Sequence, residues 1–441
     1  MNSPSALPPT PFLIRGGRVI DPAHNRDEVL DLLVENGKVA RLAKSIPVPV
    51  GAHVFDAAGL IVAPGLVDIH VHLREPGNEG AETIESGTLA AASGGVTSVV
   101  AMPNTHPAID SGTGIRFVLR RAAETAHVRV WPSGAITLGR AGEKLAEIGG
   151  MVQAGAVAIT DDGNSVPDTQ LLRRALEYAK MFEVTVIEHA EDKSLMADGV
   201  MNEGALATRL GYKGIPRQAE SIAAGRNIAL AGLTGAHLHL THISTRETVD
   251  LVRQAKKKGV RVTADCTPHH FTLTEEAVVR GGTHAKMNPP LRSEDDRRAL
   301  IDGLKDRTID AIASDHAPHT RASKEQEFSA APFGIVGLET LLPLTVTQLV
   351  EPGHLSWMEA IRRLSTNPAK VLSLPVGDLG EGSPADIVII NPAEERTITG
   401  FSSKSQNSPF LGWTMRGFPQ LVMVEGRVVL RREALRSAAP S

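Results

Sequence analysis

The 441 residues are enough for one large barrel and a smaller companion domain. Apolar residues at 42% and charged residues at 22% are ordinary for a globular chain, while 3% aromatics leaves little for base stacking and a net charge of -4 offers no positive field to phosphates or anionic membranes. Nucleic-acid and membrane partners are therefore excluded in favour of a small molecule or another protein, and the single cysteine, Cys266, rules out both an intramolecular disulfide framework and a cysteine-rich zinc module.

Met1 to Pro9 is rich in Pro and Ser and is expected to be disordered. It has no basic residue or apolar run of signal-peptide length, and no later stretch approaches the roughly 18 apolar residues of a membrane span, so a cytoplasmic location is expected. Strand-like runs at 12–15, 31–34 and 53–56, separated by turns such as Asn36-Gly37, predict a small β unit. From residue 66 short apolar runs alternate with amphipathic stretches. The eight runs 66–72, 97–102, 128–133, 156–160, 184–188, 236–241, 260–265 and 309–314 predict a closed (β/α)8 barrel. Apolar residues three and four apart predict helices at 82–93, 114–126, 168–182, 218–230 and 246–258. Asn367-Pro368-Ala369 reads as an N-cap with proline at the first helical position, the start of a short helix. Past 375, turn-rich Gly377-Asp378-Leu379-Gly380 leads to strands at 386–390 and 421–430, and Cys266 is expected to be buried beside a strand. The expected fold class is α/β: a TIM-type barrel over 63–374, with a small discontinuous β-sandwich domain made from 1–62 and 375–441.

His70 and His72 stand two apart on a strand, so both side chains point to the same face, which at the C-terminal end of the first barrel strand meets the mouth of the barrel. Four more candidate ligands follow other runs: Asp161 or Asp162 after the fourth, His189 after the fifth, His242 after the sixth and Asp315 after the eighth. Imidazole and carboxylate together suit a borderline divalent ion such as zinc, and a shared carboxylate can hold two. His237 and His239 fall on the opposite strand face, and with His106, His127, His284 and His354 they are expected to be structural or superficial. His269 and His270 follow the seventh run and are expected to back the site without ligating.

On these residues the chain resembles the dihydroorotases of the amidohydrolase superfamily, specifically their bacterial class I branch. Asp68-Ile69-His70-Val71-His72-Leu73-Arg74-Glu75-Pro76-Gly77 and Ala313-Ser314-Asp315-His316-Ala317-Pro318-His319 with Lys324 carry most of the likeness. Met102-Pro103-Asn104-Thr105, Thr160-Asp161-Asp162-Gly163, Lys286-Met287-Asn288-Pro289-Pro290-Leu291-Arg292 and Pro332-Phe333-Gly334 support it. The resemblance implies that His70, His72 and Asp315 hold one metal, that His189 and His242 hold another, and that Asp162 bridges them. It assigns Arg74, Asn104 and His319 to a substrate carboxylate, and Asn288, Phe333 and Gly334 to the ring pocket. Arginine suits that task because its fork binds a carboxylate bidentately.

The activity this implies is the reversible opening of dihydroorotate to N-carbamoyl-aspartate, a step of de novo pyrimidine biosynthesis. It would use one or two Zn2+ ions per subunit, a metal-activated water as nucleophile, and Asp315 as general acid and base. Related hydantoinases and allantoinases share the His-x-His but bridge their metals with a carboxylated lysine, and 156–162 contains no lysine. The alternatives are another cyclic amidohydrolase of hydantoinase or allantoinase type, or a non-catalytic structural partner of aspartate transcarbamoylase. For partners, the resemblance allows a homodimer and association with aspartate transcarbamoylase.

Overall fold

A computed structural model describes residues 10–432, so the start expected to be disordered lies outside the described residues. The first strands are β1 (Phe12–Asp21), β2 (Arg26–Glu35), β3 (Lys38–Ala43), β4 (His53–Asp56) and β5 (Ile61–Pro64). β1, β2 and β3 form an antiparallel series, while β4 and β5 run parallel to β1. Alternation along β1 buries both faces of the sheet. Phe12 and Ile14 enter one apolar cluster and Leu13 enters another with Leu33 and Ile46.

The barrel strands are β6 (Leu66–Val71), β7 (Val96–Ala101), β8 (Arg129–Gly134), β9 (Ala158–Ile159) and β10 (Thr185–Glu188). A separate two-stranded ladder of β11 (Met201–Asn202) and β12 (Gly214–Ile215) precedes the last three, β13 (Leu238–Leu240), β14 (Val262–Cys266) and β15 (Ala311–Ile312). They pair in parallel in chain order from β6 to β15. The parallel bridge Val71 to His316, with His72 N donating to His316 O at 2.9 Å, brings the ends of the series together. The fourth and eighth expected strands are shorter than their apolar runs because only two residues of each pair with a neighbour.

The five expected helices are present as Ile84–Ser93, Gly112–Thr125, Thr169–Met181, Gln218–Thr234 and Arg246–Lys257. In Thr169–Met181, Leu172, Ala175, Leu176 and Ala179 are buried at helical spacing, and the Asp168 side chain caps Leu171 N. Leu176 is fully buried, so Leu176→Ala should cost about 2–5 kcal/mol. The expected start at Asn367 is corrected. Helix Trp357–Ile361 runs through a π turn, Arg362–Thr366, into Asn367–Val371, and Asn367 is itself helical, with Nδ2 donating to Asp310 O at 2.8 Å. Pro368 lacks the N–H that would bond to Leu364 O, and a widened turn accommodates its ring without ending the helix.

The chain closes with β16 (Ile387–Thr397), β17 (Thr414–Val424) and β18 (Arg427–Arg431). The expected single run 421–430 is two strands, turned at Glu425 and Gly426, both at positive φ as a tight hairpin requires. β16 pairs antiparallel with β5, Ile387 opposite Pro64, so β1 to β5 and β16 to β18 belong to one sheet. Cys266 ends β14 fully buried, as expected.

Candidate metal centre and substrate cavity

The candidate residues arrive from the C-terminal ends of different strands: His70 and His72 from β6, Asp162 after β9, His189 after β10, His242 after β13 and Asp315 after β15. The structure brings them into two buried triads, His70–His72–Asp162 and Asp162–His189–His242, in each of which the ligand atoms lie within 4.8 Å of one another. Asp162 is common to both. Its Oδ2 is 3.3 Å from His70 Nε2 and 3.6 Å from His72 Nε2, while its Oδ1 is 3.5 Å from His242 Nε2. Asp315 flanks the first triad, with Oδ1 3.1 Å from His72 Nε2 and 3.5 Å from His70 Nε2.

Hydrogen bonding sets the adjacent aspartates apart. Asp161 accepts from Ile136 N at 2.8 Å, from Thr137 N at 3.1 Å and from the Thr137 hydroxyl, so its carboxylate is occupied by the loop after β8. Asp162 Oδ1 is buried without a hydrogen-bond partner.

The tautomers of the His-x-His pair follow from their neighbours. Thr241 Oγ1 donates to Asp265 Oδ2 at 3.1 Å and therefore accepts from His70 Nδ1 at 2.7 Å. Asn104 Oδ1 can only accept, and it lies 2.7 Å from His72 Nδ1. Both rings thus carry hydrogen on Nδ1 and turn Nε2 towards Asp162 and Asp315. Sequence reasoning missed Thr241, Asp265 and Glu191. A carboxylate at the end of β14 was a usable signal for Asp265, which also accepts from His242 N at 2.7 Å and pairs with His239 Nε2 at 2.8 Å. His239 is structural as expected, but it is fully buried and braces this support. Glu191 approaches His189 Nε2 at 3.5 Å and Asn288 Nδ2 at 3.3 Å. His270 is held by Thr267 and the Pro289 carbonyl, and neither it nor His269 belongs to a triad.

The electrostatics call for a cation. Burial alone would lower the His70 ring, but Asp162, Asp315 and Asp265 overcome it and raise it to about 10. Burial alone would raise Asp162, but His70, His242 and His72 hold it well below the carboxylate range, and the same histidines hold Asp315 down. Two buried carboxylates drawing a proton onto His70 are the electrostatic condition that a divalent ion satisfies better. His70 Nε2, Asp162 Oδ1 and His242 Nδ1 are all buried without hydrogen-bond partners. Four imidazoles and two carboxylates with such free atoms fit a metal of the zinc type.

Arg74, Asn104, Asn288, His319, Phe333 and Gly334 line one cavity of about 200 Å³ together with His72, Asp162, His189, His242 and Asp315. His70 is not among the lining residues. Arg74, His242 and Asp315 all have positive φ, at 60°, 38° and 47°. A non-glycine residue held there stores of order 1–3 kcal/mol of strain, which the surrounding contacts must offset. His319 Nε2 donates to Phe333 O at 2.7 Å, and burial, then Arg74 and Lys324, push its ring down to about 3. It is therefore neutral, and Arg74 is the cation of the cavity wall. Burial lowers Arg74 too, but only to about 10.

A barrel with a histidine and carboxylate centre at its mouth defines the protein as an amidohydrolase-type enzyme. The family model described as "Dihydro-orotase-like" matches residues 59–248. A dihydroorotase of Syntrophotalea carbinolica is 51% identical over 95% of this chain and 99% of its own length, and one of Geobacter metallireducens is 50% identical over 96% and 100%. The chain belongs to the dihydroorotase family, and so to the cyclic amide hydrolases. Among solved structures it is similar to an L-hydantoinase from Arthrobacter aurescens (TM-score 0.86, 26% identity, 95% of this chain and 96% of that one). It is also similar to a dihydropyrimidinase from Brevibacillus agri (TM-score 0.83, 25% identity, 96% and 95%). Among the described residues no helix is long and apolar enough to cross a membrane.

Proposed function

We propose that this chain opens the ring of dihydroorotate to N-carbamoyl-aspartate and closes it in reverse. The observation that carries the reading is the Arg74 guanidinium in the wall of the cavity that contains the His/Asp centre. A hydantoin ring without a carboxylate would leave that cation unpaired, at a cost.

His70, His72 and Asp315 would hold one ion and His189 and His242 a second, with Asp162 between them. Zinc is the ion proposed. A divalent ion there would supply a Lewis acid for the amide carbonyl and lower the pKa of bound water. Arg74 pairs with the ring carboxylate through its fork. Asn104 helps through Nδ2, since its Oδ1 is taken by His72, and His319 completes that wall. Asn288, Phe333 and Gly334 confine the ring. Asp315 is ionised at rest, accepts the proton of the attacking water and returns it to the ring nitrogen as the carbon–nitrogen bond breaks.

Loss of dihydroorotate absorbance, followed before and after chelation and again with zinc restored, tests this reading. Turnover that stops on chelation and returns with zinc is expected. Opening of a hydantoin but not of dihydroorotate would defeat it. A homodimer, a complex with aspartate transcarbamoylase and a cytoplasmic location are proposed on the family resemblance and the sequence. Size-exclusion chromatography of the chain, alone and mixed with that enzyme, tests the first two.

A further inference from the structure

Lys286 and Lys324 are 2% and 1% exposed, and among the described residues neither takes part in an ion pair. A buried ammonium without a counter-ion is costly unless its hydrogens are all placed. Here most of them meet main-chain carbonyls of residues 328–332. Lys286 Nζ donates to Phe328 O at 2.6 Å, Ser329 O at 3.1 Å and Ala331 O at 2.6 Å, which uses its three hydrogens. Lys324 Nζ donates to Pro332 O at 2.8 Å and approaches Lys286 O at 3.4 Å. Gly334 N donates to that same Lys286 carbonyl at 2.9 Å. The Lys286 ammonium also stands 4.6 Å from the centre of the Phe333 ring, within cation–π reach.

We propose that Lys286 and Lys324 are positioning residues that tie the strap 328–334 to the segment carrying Asn288, and so set the distance of Phe333 and Gly334 from the ring. The inference rests on the assignment of the cavity to substrate. Four carbonyls of an irregular segment need donors, and among the described residues no main-chain N–H supplies them. Each lysine also bears on a second cavity element. Lys286 lies two residues before Asn288, and Lys324 lies five after His319, whose Nε2 is bound to the Phe333 carbonyl. Gly334 allows little slack, since its φ is 121° and an added Cβ would stand 2.6 Å from Ala317 Cβ. Burial pushes Lys286 down to about 8 and Lys324 down to about 7, as expected for ammonium groups held by dipoles instead of carboxylates.

The test compares wild type, Lys286→Met, Lys324→Met and Lys286→Arg in zinc-loaded protein, by hydrogen exchange over 325–334 and by steady-state kinetics. Lys286→Met should exchange faster in that segment and raise KM for dihydroorotate at least about tenfold with kcat within about threefold, because the lost bonds orient substrate without touching the reacting atoms. Lys324→Met should show the same pattern more weakly, and Lys286→Arg, which keeps donors, should recover part of the KM. Exchange and KM unchanged in both Met variants would overturn the proposal, as would a fall in kcat at constant KM. If Lys286→Met does not fold, Lys324→Met and Lys286→Arg are read by the same criteria. Wild-type protein without dihydroorotate turnover would defeat the substrate assignment, while exchange in the substrate-free protein would still decide the tether.

Discussion

Replacing Arg74 by Met separates carboxylate recognition from ring chemistry. Arg74 Nε is already committed to Pro318 O at 3.1 Å, so both terminal nitrogens remain for the substrate. A hydrogen bond to a charged group is worth about 1.5–3 kcal/mol, so two of them in this partly exposed site amount to about 3–4 kcal/mol. At about 1.4 kcal/mol per decade, kcat/KM for dihydroorotate should fall about 10²–10³-fold. His319 cannot replace the lost charge, because its ring is neutral over the working pH range. Arg74→Lys keeps the charge but loses the fork, so a smaller loss of about 10-fold to 100-fold is expected. The assay is kcat/KM on dihydroorotate and, in parallel, on dihydrouracil, the same ring without its carboxylate. The variants should lose only the first activity. An equal loss on both rings would refute the pairing of Arg74 with the carboxylate.

Three further outcomes are expected. Asp315→Ala should abolish almost all turnover, as removal of a general acid and base does, and a variant retaining more than about a tenth of wild-type kcat would exclude that role. Thr241→Val removes the acceptor that orients His70, so zinc affinity, measured by competition with a chromogenic chelator, should drop about 10-fold to 100-fold in a folded protein, and unchanged affinity would count against that support. His237 is held down to about 4 by burial, then by His239 and Arg261, against about 6.5 in an unfolded chain. The unfolded state therefore binds the extra proton first, and this contribution to stability is complete above pH 6.5 and lost as pH falls towards 4. In urea unfolding, the difference between wild type and His237→Gln should shrink across that window, and a difference independent of pH would contradict it.

Local pattern alone determined a good deal about this protein. The two-residue period of a strand puts His70 and His72 on one face, and the placement of Asp161 or Asp162, His189, His242 and Asp315 just beyond apolar runs locates them at the barrel mouth, because each depends only on nearby residues. The helix positions were legible for the same reason, whereas the π turn before Pro368 depends on how that segment packs. Contacts between distant residues were decided only by the tertiary structure. Asp161 and Asp162 are chemically identical neighbours, and it is Thr137, brought over from the loop after β8, that occupies the first and leaves the second free. The His-x-His pair is aimed by Thr241 and Asn104, at 171 and 32 residues' separation, and meets Asp315 across 243. Lys286 and Lys324 read in the sequence only as parts of motifs. Their role as donors to a buried strap is visible only once the chain has closed around them, because the partners of a backbone carbonyl in an irregular segment are set by packing and leave no period in the sequence.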